Sequence, residues 1–189
     1  MPSDATANRY GAVARAFHWG TALAVPVMLG AGVLMTSEPL EALADPLYVL
    51  HKGLGSVLLA VVVLRVLWRL THPAPRLPSV VPQLQRRIMG MTHVGLYVLL
   101  VVMTVSGYIR TVGDGFPIEL LDVLGVPPLL PPMPEAAQLA LVVHQITAYL
   151  LTALVAVHIG AAVHDALFDR KGVFGRMWPP WRASDATGE

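Results

Sequence analysis

Histidine is the residue type whose placement in this chain most strongly suggests chemistry. Five of the seven histidines lie inside long apolar stretches, where an ionisable side chain is costly and usually functional: His18, His51, His93, His144 and His158. On one helix, the spacing of His144 and His158 places both on nearly the same face, about 21 Å apart along the axis. A hydrogen bond to a neighbouring helix would explain one such residue, whereas two on one face suit two cofactors stacked through a membrane.

The chemistry that fits this spacing is haem ligation. A haem iron held by imidazoles from two facing helices has both axial positions filled, which favours electron transfer over oxygen binding. The chain contains no cysteine, which excludes thiolate metal sites, cysteine-ligated iron–sulfur clusters and covalent haem attachment through Cys-x-x-Cys-His. The pattern therefore predicts two non-covalent b-type haems, each with bis-histidine ligation.

Four apolar spans would position these histidines. Hydrophobic residues make up 55% of the 189 residues and charged residues 13%, whereas soluble domains average about 25% charged. About 20 helical residues cross the hydrocarbon core, and segments of that length lie at about 14–36, 48–70, 88–111 and 138–168. We therefore expect an all-α integral membrane four-helix bundle, with residues 1–189 as one domain and residues 169–189 as a cytoplasmic tail.

The loops between the spans are rich in proline. Four prolines between residues 71 and 82 are expected to stop the second span, and five between residues 125 and 134 to keep the third loop extended. Within the third loop, Ile118 to Leu124 is equally compatible with a short interfacial helix and with a plain loop.

The distribution of charge predicts the orientation. Lys and Arg flanking the spans are retained on the cytoplasmic side, and eleven of the thirteen lie before the first span, around the second loop or after the fourth span. The first and third loops are acidic, with only Lys52 and Arg110 near them. Both termini are therefore expected in the cytoplasm.

Depth in the membrane limits which histidines can face each other. With alternating helix directions, His51 and His144 lie at one level near the outer side, without a competitor. His158 lies at the inner level, where both His18 and His93 are at a suitable depth. Sequence physics alone does not choose between these two partners.

Several motifs, taken in order, resemble the bacterial cytochrome b561 family. They are AFHW at 16–19, HKGLG at 51–55 with LRVLWRL at 64–70, THVGLY at 92–97, the pair His144 and His158, and DRKGV at 169–173 followed by RMWP at 176–179. The resemblance covers about residues 9 to 180. It implies a multi-pass di-haem protein of the bacterial inner membrane, in which His18 and His158 bind the inner haem iron and His51 and His144 the outer one.

The resemblance also implies a function. Electrons would pass from an extracytoplasmic donor, either a protein or a small anion such as superoxide, to membrane ubiquinone, as in a superoxide:ubiquinone oxidoreductase. The alternative is a non-enzymatic cytochrome b subunit that anchors a separate dehydrogenase or hydrogenase and connects it to the quinone pool. The expected partners are the lipid bilayer, a quinone and the donor, and nucleic acid has no support.

The remaining polar residues each have two explanations. Arg65 and Arg69 lie near the His51 face of the second span and would contact a haem propionate or a quinone, or serve as snorkelling anchors. His93 would bond a propionate or quinone, or only pack, and His164 is a weaker case. Lys52 would draw an anionic donor or offset the acidic loops. Gly53, Gly55, Gly107 and Gly160 would admit a porphyrin or allow close helix packing.

Overall fold

The computed structural model describes residues 9–169 and 171–178. Its helices are α1 (Ala12–Leu34), α2 (Ala44–Thr71), α3 (Gln83–Gly113), the short α4 (Glu119–Val123) and α5 (Pro134–His164). A turn of π-helix at Asp165–Asp169 extends α5, and 3₁₀ turns lie at Glu38–Leu43 and Phe174–Arg176. The described residues contain no β-strand. The all-α prediction is confirmed.

Helices α1, α2, α3 and α5 are long and apolar enough to cross a membrane. Successive spans run antiparallel, and α3 packs most extensively on α5, α1 on α2, and α2 on α3. One end of the bundle carries the start of α1, the end of α2, the start of α3 and the end of α5. We call it the basic end because most of the arginines lie there, and the opposite end, with the first and third loops, the acidic end.

A small apolar core holds the four spans together. Its buried members, drawn from all four spans, are Val25, Leu58, Val62, Leu100 and Leu151. In the most apolar stretch of each span, only 11 to 22% of the residues are buried. Most of each span therefore faces outward with apolar side chains. This suits a helix in lipid, where no water is present to hydrogen-bond exposed polar groups.

The spans agree with the sequence prediction, and the differences lie at their ends. Helices α2 and α3 begin four and five residues earlier than predicted, at Ala44 and Gln83. The added residues include Asp45 in α2 and Arg86 and Arg87 in α3, since a helix can continue with charged side chains through the headgroup region. In the third loop, the short helix that the sequence left open is present at Glu119–Val123, and the 3₁₀ turn of the first loop was not predicted.

The predicted cytoplasmic tail divides into two parts. Residues 171–178 pack against the basic end, as detailed below, whereas Arg170 and residues 179–189 lie outside the described residues. The predicted cytoplasmic orientation of both termini stays a prediction.

Candidate functional site

At the acidic end, the bundle brings the imidazoles of His51 and His144 together. Their ring centres are 6.1 Å apart, with the planes at 80°. The Nδ1–H of His144 donates to the Met103 carbonyl oxygen at 3.0 Å. Such a bond fixes the tautomer and leaves Nε2 unprotonated, as a metal ligand requires.

Two neighbours on α3 complete the seat of His144. The buried Ser106 hydroxyl lies 3.2 Å from His144 Nδ1 and donates to the Met103 carbonyl at 3.1 Å. A Cβ placed on Gly107 would lie only 2.9 Å from His144 Cε1. A side chain at position 107 therefore does not fit while the ring stands where it does.

The His51 ring has a similar seat, on α1. A Cβ placed on Gly32 would lie 3.3 Å from His51 Cε1. The Nδ1 of His51 is buried and, unlike that of His144, makes no hydrogen bond of normal geometry within the described part of the chain. The backbone of Met28 on α1 offers this ring a weaker hydrogen bond, so His51 is oriented less firmly than His144.

At the basic end, three imidazoles meet instead of two. The His158 ring centre is 6.3 Å from that of His18, with planes at 69°, and 5.5 Å from that of His93, with planes at 71°. Both partners that the sequence left open are thus in contact with His158. The structure brings together all five intramembrane histidines, in one pair and one trio.

Arg65 lies beside this trio. Its guanidinium contacts the buried Thr21 hydroxyl, lies 3.3 Å from His18 Nδ1, and stands 5.2 Å from the centre of the Tyr97 ring. Three contacts inside the bundle distinguish Arg65 from a snorkelling anchor. Arg69, one turn further along α2, is half-buried and lies within electrostatic reach of His93.

The other two histidines lie outside these groups. His72 is exposed and stacks on Trp68, with ring centres 3.7 Å apart, in agreement with a solvated residue at a helix end. His164 is exposed at the end of α5, with Nδ1 3.9 Å from the Asp169 carboxylate and its ring 5.3 Å from that of Phe168.

Lys52 is engaged by the third loop. Its ammonium donates to Glu119 Oε1 at 2.6 Å and to the Pro117 carbonyl at 2.9 Å. The hydrogen bond from Lys52 holds the pKa of the Glu119 carboxyl below its ordinary value. Leu120 of α4 packs on Gly53, where an added Cβ would come within 3.4 Å of it. The pair therefore ties α4 to the acidic end of α2, and the positive charge predicted there is neutralised.

Sequence reasoning missed Met103, Ser106, Tyr97 and Thr21, and it named Gly107 without identifying His144 as its neighbour. These residues have ordinary types for membrane helices, and only the register between α3 and α5, between α1 and α2 or between α2 and α3 brings them to a histidine or to Arg65. Of the four glycines singled out, Gly107 contacts a histidine, Gly53 and Gly55 contact Leu120 and Met28, and Gly160 has open space beside it.

The site is not of the kind that holds a bare metal ion. No group of three or more His, Cys, Asp or Glu side chains with suitable geometry occurs in residues 9–169 and 171–178. A pair of facing imidazoles is instead suited to a metal ion whose remaining ligands are supplied by a macrocycle.

Together these features define a class: an integral membrane four-helix protein with imidazoles facing each other at both ends of the bundle. Comparison with known families then identifies the chain as a member of the prokaryotic cytochrome b561 family, which it matches over residues 9–180. It is 33% identical to cytochrome b561 homolog 2 of Escherichia coli (strain K12) over 174 residues, which cover 91% of this chain and 92% of that protein. Membership implies transmembrane electron transfer through b-type haem.

Proposed function

We propose that this protein carries electrons across the bacterial inner membrane through two non-covalent b-type haems and delivers them to ubiquinone. One haem would be held by His51 and His144 at the acidic end, the other by His18 and His158 at the basic end. When bound, a haem held by these imidazoles would supply one-electron transfer rather than oxygen binding. The single observation that supports the proposal most directly is the distance between the facing imidazole rings at each end of the bundle.

That separation can be compared with what ligation requires. A metal–imidazole bond is about 2 Å long, and a ring centre lies about 1 Å beyond its nitrogen. Two rings on opposite sides of one iron therefore have centres about 6 Å apart. The observed 6.1 Å for His51 and His144 and 6.3 Å for His18 and His158 fit this span.

The choice between His18 and His93 rests on the same comparison. The His93 ring is 5.5 Å from that of His158, about half an ångström short of the span for two rings and an iron. His18 fits better, and the family resemblance implies the same residue. We assign to His93 a hydrogen bond to a haem propionate or to a quinone carbonyl at the same level.

The chain's own groups prepare both sites. The Met103 carbonyl orients His144 and, by accepting its proton, makes the ring a stronger ligand. Gly32 and Gly107 let the rings of His51 and His144 lie directly against neighbouring helices. At the basic end, the guanidinium of Arg65 supplies the charge that a propionate needs within the membrane.

Quinone reduction is assigned to the basic end. Arg65, Arg69 and His93 can donate hydrogen bonds to a quinone oxygen there, and cytoplasmic water can supply protons. Each quinone takes up two electrons and two protons to become a quinol. If superoxide is the donor, two superoxide anions each release one electron and become dioxygen.

Electron entry is assigned to the acidic end, facing the outside of the inner membrane. The support is the charge distribution: the described arginines other than Arg110 lie at the basic end, and cytoplasmic retention of basic residues would place that end inside the cell. Lys52 is the basic side chain next to His51 and suits a small anionic donor, which must compete with Glu119 for the ammonium.

Removal of single ligands tests the assignment. The His51→Ala and His144→Ala variants should lose the acidic-end haem, and His18→Ala and His158→Ala the basic-end haem. Each should retain about one haem per chain in a pyridine haemochrome assay. His72→Ala is the matched control: its ring stacks on Trp68 outside both groups, and it should keep two haems.

Three results would contradict the proposal. A wild-type chain with one haem or none would refute the two-haem arrangement. Haem that resists acid-acetone extraction would refute non-covalent binding. Loss of a low-spin haem in His93→Ala, with both retained in His18→Ala, would assign the basic-end ligand to His93 instead.

A further inference from the structure

Residues 171–178, which we call the C-terminal clasp, join several parts of the basic end. The Lys171 ammonium donates to Gln85 Oε1 at 3.1 Å at the start of α3. The Phe174 amide donates to the buried Asp165 carboxylate at 2.9 Å, just after α5. The Arg176 carbonyl accepts from the Tyr10 amide at 3.3 Å, just before α1. The clasp is therefore bonded to the ends of three spans.

The side chain of Arg176 anchors the clasp. It is only 5% exposed, and its Nη2 donates to the Pro75 carbonyl at 2.6 Å and the Arg76 carbonyl at 3.2 Å. The guanidinium also lies 5.3 Å from the centre of the Tyr10 ring. Because a buried charged donor is costly to separate from its acceptors, these bonds hold the clasp in one position against the loop after α2.

The next two residues of the clasp contact Trp19. The Met177 carbonyl accepts a hydrogen bond from Trp19 Nε1 at 2.6 Å. The Trp178 ring meets the Trp19 ring edge to face, with centres 6.1 Å apart and planes at 89°. Trp19 in turn stands edge-on to His18, at 5.6 Å and 82°. A continuous line of contacts thus runs from the anchor Arg176 to His18.

His18 lies in the second turn of α1, near a helix end that has no side-chain cap. The N-cap residue is Gly11, and within the described residues no side chain caps this helix end. A glycine cap supplies no side-chain oxygen for the free amides, so the first turn frays more readily than one capped by Ser, Thr, Asp or Asn. A ligand so close to an uncapped end needs a constraint from elsewhere in the fold.

We propose that the C-terminal clasp positions His18: by holding the Trp19 indole between the Met177 carbonyl and the Trp178 ring, it fixes the second turn of α1 and hence the His18 imidazole relative to His158. Trp19 and Arg176 are positioning residues in this arrangement, since they act through His18. The inference rests on the proposed function, in which His18 is a ligand of the basic-end haem. The clasp therefore influences the spectrum and midpoint potential of the basic-end haem and leaves the acidic-end haem unaffected.

The test uses the full chain with Trp19→Phe, which keeps an aromatic ring and removes the N–H donor. Electron paramagnetic resonance and redox titration resolve the two low-spin haems, and His158→Ala identifies the acidic-end signal as the one that remains. We expect two haems per chain, with a shift of the g values and midpoint potential of the basic-end haem alone. Trp68→Phe, at the same end of the bundle but stacked on exposed His72, should shift neither.

A readout without haem accompanies this one. Hydrogen exchange of the helix-bonded amides of residues 15–18 should be faster in Trp19→Phe than in the wild type, because the turn loses its constraint. If Trp19→Phe fails to insert, Trp178→Leu decides instead, since it retains the Trp19 indole donor and removes the ring contacts of Trp178 with Trp19 and Phe174. Arg176→Lys, which keeps the charge, should disturb the basic-end haem less than Arg176→Gln.

Two outcomes separate failure of the clasp from failure of the proposed function. If the inserted Trp19→Phe and Trp178→Leu variants both leave the basic-end signal at its wild-type position, or move both haem signals equally, the positioning function is refuted while the haem assignment stands. If His18→Ala retains two haems, the ligand assignment is refuted and the positioning inference falls with it.

Discussion

Gly107→Ala is the smallest change that should disable one haem site and spare the other. The added Cβ would lie 2.9 Å from His144 Cε1 and 3.2 Å from Nδ1, whereas carbon atoms in good contact are about 3.5 to 4.0 Å apart. The imidazole must therefore retreat by about half an ångström or more. Metal–ligand bonds tolerate deviations of only about 0.2 Å, so His144 can accommodate the methyl group or bind iron well, but not both.

The size of the effect follows from typical overpacking costs. Inserting a methyl group into a filled site costs about 1 to 3 kcal/mol, which corresponds to about 5- to 140-fold weaker haem binding at the acidic end. Replacing a helical glycine by alanine also stabilises the helix by about 0.5 to 1 kcal/mol. The fold should therefore survive, and the loss should appear in haem occupancy.

The assay is titration of the haem-depleted variant with haem, followed by optical and paramagnetic resonance spectra. Gly90→Ala is the matched control on the same helix, because nothing lies within 4 Å of the added Cβ. It should bind haem with the same stoichiometry as the wild type. If Gly107→Ala also binds two haems with unchanged affinity and spectra, the seat described for His144 is not a constraint on haem binding.

Two further predictions concern the ends of the electron path. Glu119→Gln should release Lys52 from its ion pair and speed reduction of the protein by superoxide about 2- to 10-fold at low salt. About 1 M salt should abolish this effect. An unchanged rate at low salt would show that Lys52 is not part of the entry site. In the wild type, the pKa of Glu119 is lowered by Lys52, so the ion pair persists from neutral to mildly acidic pH and is lost only as pH falls through that lowered value. Arg65→Leu should slow ubiquinone reduction by the protein purified alone about 10-fold or more, the worth of a charged hydrogen bond, when rates are compared at equal occupancy of the basic-end haem, whose propionate Arg65 is also proposed to bind. Equal rates would make Arg65 a structural residue, and no quinone reduction by the wild type alone would favour a subunit that needs a partner dehydrogenase.

The sequence predicted the four spans well because hydropathy reflects the bilayer directly, and their length is set by its thickness. It also predicted the two levels of histidines, since residue position along a span fixes depth. It could not choose between His18 and His93, because depth says nothing about which helix faces which. The rotations of the helices, which bring both rings to His158, depend on packing among all four spans.

Contacts across long sequence separations were the least predictable part of the site. Lys52 had two explanations, attraction of an anionic donor or compensation of the acidic loops, and its partner Glu119, 67 residues away in a helix of five residues in the third loop, agrees with the second. The bond from Trp19 to Met177 spans 158 residues. Local patterns carry no record of such contacts, so neither the identity of the Lys52 partner nor the packing of the clasp could be predicted from them.

The helix α5 contributes one imidazole to each facing group, and this has a consequence for the order of events during synthesis. His18 and His51 enter the membrane early, but their partners His144 and His158 are the last of the intramembrane histidines to be made. At about 5 to 20 residues per second, the first three spans wait for several seconds with their imidazoles unmatched. Neither group can close before the final span is inserted, so the assembly of both sites is a late and nearly simultaneous event.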